Sequence, residues 1–236
     1  MYPAGKLSGR PRKQGGRLMR LVLVGPPGSG KGTQAEMLVD KFGLTCIGTG
    51  AMLRDAIARG TEMGRQVKPL MDQGLLVPDP IVNDVVAEFF RSSARPEKFV
   101  MDGYPRTYSQ AIAFDALLRQ QFLALDAVIN LTIADDEVVK RISGRRCCPK
   151  PDCGVCYNVN YRGTKVPGKC DRCGADLVLR DDDKEETVRR RLHEFYRNTD
   201  ALINHYRHQN LVRDVPATDT GEAIYANILA ALKKVA

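Results

Sequence analysis

The stretch Gly25-Pro26-Pro27-Gly28-Ser29-Gly30-Lys31-Gly32-Thr33 limits what this chain can fold into more than any other feature. It follows an apolar run over 18–24 that reads as a short buried strand, and it precedes a helical stretch over 34–41. Glycines at 25, 28, 30 and 32 let the backbone curl so that successive amides face an anion. The helix that follows adds the positive end of its dipole, and Lys31 supplies a mobile charge for the outer phosphates. Strand, Gly-x-x-x-x-Gly-Lys loop and helix, in that order, form the phosphate-binding opening of a parallel α/β sheet. Gly32 stands where the common loop has a Ser or Thr to hold magnesium, and Thr33 comes one place later. Other groups must therefore share the metal, and Asp102, at the end of an apolar strand, is placed to do so.

Further strands are predicted over 98–102, Ala127–Thr132 and 211–215, separated by helical patterns over 109–121, 135–142 and Glu185–His208. That alternation implies a parallel sheet covered by helices. Between the first strands lies a mostly helical insertion over 49–94, broken at Gly60, Gly64, Gly74 and Pro78. A second insertion, between the helices ending near Ser143 and starting near Asp183, is dense in Gly, Pro, Cys and Asp and has no helical period. With 236 residues, 43% of them hydrophobic and 27% charged, the chain has the composition of an ordinary globular protein rather than a disordered or fibrous one.

The charge balance first suggests a polyanion partner, since 36 basic against 28 acidic residues leave a net +8. Six of those charges, Lys6, Arg10, Arg12, Lys13, Arg17 and Arg20, lie in the first 20 residues, which hold no acid. The excess therefore belongs to a Gly- and Pro-rich tail read as a solvated extension over 1–18, and nucleic acid is not expected as a partner. No apolar run approaches the roughly 18 residues of a membrane helix, and no secretory leader is evident. The expectation is a cytoplasmic protein without a membrane partner.

Six of the seven cysteines lie between Cys147 and Cys173, with only Cys46 elsewhere. Such clustering favours reduced thiolates around a metal over a disulfide framework. Cys148-x4-Cys153, sixteen intervening residues, then Cys170-x2-Cys173 has the spacing of a two-knuckle zinc site. Four thiolates would leave no coordination position open, so the metal would be structural, crosslinking two hairpins too small for a core. Cys147 and Cys156 remain alternative ligands by spacing alone. The three histidines, His193, His205 and His208, fall on one late helix and are read as surface or packing residues.

The loop Gly25–Thr33 with Gln34, then Thr49-Gly50-x-Met52-Leu53-Arg54, Asp102-Gly103-Tyr104-Pro105-Arg106-Thr107 with Gln110, Gly144-Arg145-Arg146, Arg180-x-Asp182-Asp183 and Glu186-Thr187-Val188-x-x-Arg191 together resemble adenylate kinase. The resemblance runs from about Met19 to the C-terminus and includes a long lid. It implies a P-loop parallel-sheet core over 19–48, 78–143 and 184–236, a helical insertion binding the nucleoside monophosphate over 49–77, and a zinc-binding lid over 144–183. The implied reaction is MgATP + AMP = 2 ADP, by direct in-line transfer in a monomer. Catalysis would then be positioning and electrostatics, with no protein nucleophile.

By the same resemblance, Lys31, Asp102, Arg106, Arg141, Arg145, Arg180 and Arg191 serve the transfer. ATP is bound by Gly28, Ser29, Gly30, Lys31, Gly32, Thr33 and Arg145, and its base packs near Cys156, Tyr157 and Asp219. AMP is bound by Thr49, Gly50, Arg54, Leu75, Leu76, Val77, Gly103, Tyr104, Pro105, Arg106, Gln110, Arg180 and Arg191, with Gln110 reading the adenine edge. Zinc takes Cys148, Cys153, Cys170 and Cys173. Ala51 departs from the family's acidic residue after Thr-Gly, which leaves other nucleoside monophosphates open as acceptors; the nearer alternative reading is the same transfer with another donor or acceptor, such as GTP or UMP. A zinc-ribbon ATPase acting on nucleic acid is the remote alternative; it predicts salt-dependent polyanion binding, against which stand the lid's mixed charges.

Overall fold

The computed structural model describes residues 19–92, 95–150, 152–161, 163–218 and 220–233. The basic tail over 1–18 and Asp219 lie outside them. In chain order the elements are β1 (Arg20–Val24), α1 (Lys31–Phe42), β2 (Thr45–Gly48), α2 (Thr49–Ala58), α3 (Glu62–Asp72), α4 (Asp79–Arg91), β3 (Phe99–Asp102), α5 (Tyr108–Gln120) and β4 (Ala127–Thr132). There follow α6 (Asp135–Ser143), β5 (Arg145–Cys147), β6 (Cys156–Asn158), a 3-10 turn (Asp181–Asp183), α7 (Glu185–His208), β7 (Val212–Pro216) and α8 (Gly221–Lys233).

Among the described residues β2-β3-β1-β4-β7 form one sheet with every neighbouring pair parallel. The parallel sheet flanked by helices is thus the α/β architecture expected. Alternate side chains of each strand go to opposite faces, and both faces are covered. Val22, Val24, Phe99 and Met101 pack beneath α4, α5 and α7, where Phe90, Phe114, Leu202 and Tyr206 complete one core. Leu21, Leu23, Val100, Ile129 and Leu131 face the other way, against Ala35 and Leu38 of α1 and Ile224 and Ile228 of α8. Phe90 meets Phe99 edge to face at 5.2 Å and Phe114 at 5.7 Å, which fixes α4 and α5 on that face.

Three sequence expectations need correction. The edge strand β2 has no counterpart in the sequence reading, because of its four residues only Ile47 is buried and there is no apolar alternation to see. Gly64 does not break the helical insertion but lies inside α3. A side chain there would stand 2.2 Å from the Ala56 carbonyl oxygen, so glycine serves the contact of α2 with α3. The cysteines of the second insertion are not all free thiols. The antiparallel register of β5 with β6 sets Cys147 opposite Cys156, with Cα atoms 4.0 Å apart, and the two form a disulfide. No helix among the described residues is long and apolar enough to cross a membrane.

Candidate active site

The loop after β1 ends on Gly30 in the left-handed region, and no side chain caps α1 or places an acid in its first turn. The first amides of α1 thus remain open to an outside anion. Gly28, also left-handed at φ +76°, lets the loop pass Ile142 of α6, whose Cγ1 would lie 2.8 Å from any Cβ at that position. Lys31 folds back over the loop, its Nζ donating to the carbonyls of Gly25 at 2.7 Å and Pro26 at 2.8 Å. Burial, reinforced by Arg106, Arg191 and Arg145, brings the Lys31 ammonium down to about 7 against the pull of Asp102. Asp102 ends β3 beside this helix start, its carboxylate 3.6 Å from where a Cβ on Gly32 would sit.

A second half of the site forms where β2 and β3 end side by side. Gly48 pairs with Asp102 in register, so the starts of α2 and of the loop into α5 are neighbours. Thr49, buried, donates its hydroxyl to the Gly103 carbonyl at 2.9 Å, and Arg106 Nε donates to the same oxygen at 2.8 Å. The Arg54 guanidinium lies over Gly50. Tyr104-Pro105 is a cis peptide, and the buried Tyr104 hydroxyl donates to Asn83 Oδ1 at 2.8 Å. Leu75 and Leu76 are half-buried and Val77 is buried, just ahead of α4.

The insertion's far end brings the remaining arginines in. Asp183, whose side chain has no exposure, accepts Arg145 Nε at 2.7 Å and its second guanidinium nitrogen through the other oxygen. Arg180 makes the same two-pronged contact with Asp182 at 3.0 and 2.7 Å, and Arg191 reaches the Asp182 carboxylate at 3.1 Å and that of Asp183 at 3.4 Å. Burial would raise the Asp182 carboxyl, but Arg191 and Arg180 outweigh it and hold it at about 2. Burial, together with like-charged neighbours, takes Arg54 down to about 9 and Arg191 to about 10. Charge of one sign is concentrated here beyond what Asp102, Asp182 and Asp183 neutralise, which is the arrangement that favours polyphosphate.

Lys31 is within electrostatic reach of Asp102, Arg106, Arg145 and Arg191, and Arg54 within that of Arg145, Arg180 and Arg191, so these sequence-expected residues form one linked cluster of charge. Arg141 is engaged elsewhere. Its Nε donates to Glu137 at 2.9 Å, and its guanidinium lies 5.8 Å from the Tyr161 ring. Asp182 and Asp183 have no role by sequence reasoning, although Arg180-x-Asp182-Asp183 holds the signal: carboxylates two and three places after an arginine.

In the second insertion, two short turns bring Cys148, Cys153, Cys170 and Cys173 together. Cys153 and Gly154 donate their amides to Lys150 O at 3.0 Å, and Gly174 donates to Cys170 O at 2.8 Å. The four sulfurs lie within 4.8 Å of one another, with Cys148–Cys173 at 3.5 Å and Cys153–Cys170 at 3.6 Å. A tetrahedral four-thiolate zinc, with bonds of about 2.3 Å, needs sulfurs about 3.8 Å apart, and this cluster fits it. The Cys147–Cys156 disulfide removes both alternatives from the donor set. It also engages Cys156, while the Tyr157 hydroxyl turns onto the second knuckle, accepting from the Asp171 amide at 2.9 Å beside Cys170 Sγ at 3.6 Å.

The adenylate kinase family model matches residues 23–211. The adenylate kinase of Archaeoglobus fulgidus is 45% identical over 217 residues, covering 92% of this chain and 99% of that protein. That of Thermodesulfovibrio yellowstonii is 44% identical, covering 92% and 100%, and that of Syntrophotalea carbinolica 45%, covering 91% and 98%. With its phosphate loop, its arginine cluster and this extent of similarity, the chain belongs to the adenylate kinase family.

Proposed function

We propose that the chain transfers the terminal phosphoryl group of MgATP to AMP, giving two ADP. The observation that carries this reading is the gathering of Lys31 and five arginines, 54, 106, 145, 180 and 191, at one end of the sheet beside open helix amides. An oxygen of the AMP phosphate attacks the γ-phosphorus in line as the bond from γ-phosphorus to the β–γ bridging oxygen breaks. The leaving ADP keeps that electron pair, so no protein nucleophile is needed. The loop amides and Lys31 hold the donor's phosphates, and Arg54 and Arg106 hold the acceptor's. Arg145, Arg180 and Arg191 neutralise charge on the moving group. Their forked guanidinium groups can bridge oxygens of both nucleotides, which an ammonium cannot.

Magnesium arriving with ATP fits a site of carboxylate and hydroxyl oxygens, which Asp102, 3.6 Å from where a Cβ on Gly32 would sit, and Thr33, the next residue along, would supply. When bound, it neutralises charge on the phosphate oxygens. In the second insertion, Cys148, Cys153, Cys170 and Cys173 hold a structural zinc that supplies rigidity only. Residues 49–77 form the acceptor-binding insertion and 144–183 a lid over the donor. The reading carries with it a monomer acting on free nucleotides in the cytoplasm.

A second reading, transfer to another nucleoside monophosphate, is favoured by Ala51, an exposed methyl where the resemblance expects a carboxylate. A coupled assay across ATP and GTP as donors and AMP, UMP and dTMP as acceptors separates the two. The highest kcat/KM is expected for ATP with AMP. Failure to interconvert adenine nucleotides overturns the proposal, and a preference for UMP or dTMP replaces it with the second reading.

A further inference from the structure

The Gln110 side chain is buried, and both ends of its amide are held. Its Oε1 accepts from the Arg106 backbone N–H at 2.7 Å, and its Nε2 donates to Asp79 Oδ1 at 2.7 Å. Asp79, at the start of α4, is itself fixed through its other oxygen, which accepts the Thr107 hydroxyl at 2.7 Å. Thr107 in turn caps α5 by accepting the Gln110 amide N–H at 3.1 Å. The two ends of a carboxamide have nearly the same shape, so only their partners decide which end is oxygen. A backbone N–H can only donate and an ionised carboxylate can only accept. Both partners therefore select one orientation, and each end keeps one unused valence: a lone pair on Oε1 and an N–H on Nε2.

We propose that Asp79 is a positioning residue that makes the acceptor site select adenine over 6-oxopurines by locking the Gln110 amide. The inference rests on the reading that Gln110 meets the acceptor's base. Adenine presents an N6–H donor beside an N1 acceptor, which matches the spare lone pair and the spare N–H. Hypoxanthine and guanine present an O6 acceptor beside an N1–H donor, the reverse pattern, and need the amide turned over. Turning it sets Oε1 against the Asp79 carboxylate and NH2 against the Arg106 N–H, so a charge-assisted bond is replaced by repulsion.

The test compares kcat/KM for AMP and for IMP, which reverses the edge without guanine's extra amino group. Asp79→Leu, and Asp79→Ser as a second variant, are expected to lower the AMP/IMP ratio about tenfold or more, the scale of one two-bond base contact, mainly through KM. Asp79→Asn, whose amide can turn over with Gln110 and donate where the carboxylate only accepts, is expected to lose part of the preference while keeping the shape of the site. A fall in melting temperature with an unchanged ratio in both the Leu and Ser variants overturns the inference, since it leaves Asp79 only its place in α4. Gln110→Leu separates this failure from that of the underlying reading. If that variant keeps the wild-type ratio, Gln110 does not read the base and both fall. If it collapses the ratio while the Asp79 variants do not, only the role of Asp79 falls.

Discussion

Asp183 holds Arg145 with both of its oxygens across 38 residues of chain, from the 3-10 turn before α7 to the first strand of the cysteine-rich insertion. The carboxylate has no exposure and the guanidinium is about a quarter exposed. The contact therefore ties the two ends of the insertion together and holds Arg145 close enough to Lys31 to help depress its ammonium. Its neighbour Asp182 likewise holds Arg180 and Arg191. In the proposed reaction the two acids form a frame that presents the arginines' outer nitrogens to phosphate.

Asp183→Ala should therefore cost both stability and turnover. Removing one partner of a largely buried pair destabilises by about 3 kcal/mol. At about 2–4 °C per kcal/mol for a chain of this size, melting should fall several degrees. The kcat should fall more than KM rises, because a misaimed Arg145 is missed most when charge moves. Unchanged kcat in a folded variant would remove Asp183 from the positioning frame.

The state of Lys31 gives a pH dependence with a definite sign. In the free protein burial sets its ammonium near 7. A bound polyphosphate raises it again, since the anion favours the charged form. Above pH 7 the free protein holds less proton at Lys31 than the complex, so ATP binding takes up proton and affinity weakens as pH rises. Calorimetry at pH 8 in two buffers of different ionisation enthalpy should show this uptake. Its persistence in Lys31→Met would assign it to another group.

Thiol counting distinguishes the four-sulfur site from the disulfide. Of seven cysteines, Cys46, Cys148, Cys153, Cys170 and Cys173 are free. Denatured without reductant and with a chelator, the protein should show five reactive thiols, and seven after reduction. One equivalent of zinc should be released. Metal removal alone should lower melting and turnover together, because the knuckles have no core to replace it. Unchanged melting and turnover after chelation would refute the structural metal.

Gly64→Ala tests the helical insertion without touching the phosphate site. The added methyl meets the Ala56 carbonyl and the Ile57 amide, backbone atoms that cannot rotate away. Forcing α2 from α3 should cost about 1–3 kcal/mol. Since α2 carries Thr49, Gly50 and Arg54, KM for AMP should rise more than KM for ATP. Equal changes in both would show that the two insertions are not independent.

The phosphate loop, four of the five strands of the main sheet, and α5, α6 and α7 to within one residue are legible in local periodicity and glycine placement, whereas α8 has no counterpart in the sequence reading. Glu185–His208 and Ala127–Thr132 match their expected bounds. Also legible is which cysteines have knuckle spacing. Three features come from long-range contacts instead: β2, whose pairing with β3 rather than its own residues makes it a strand; the disulfide, which follows from the register of β5 with β6; and the partners of each arginine. Arg141 and Arg145 are the same residue type four places apart, yet one is tied to Glu137 and the other to Asp183. A guanidinium's role depends on which carboxylate lies within about 3 Å, and that distance is set by contacts made far along the chain.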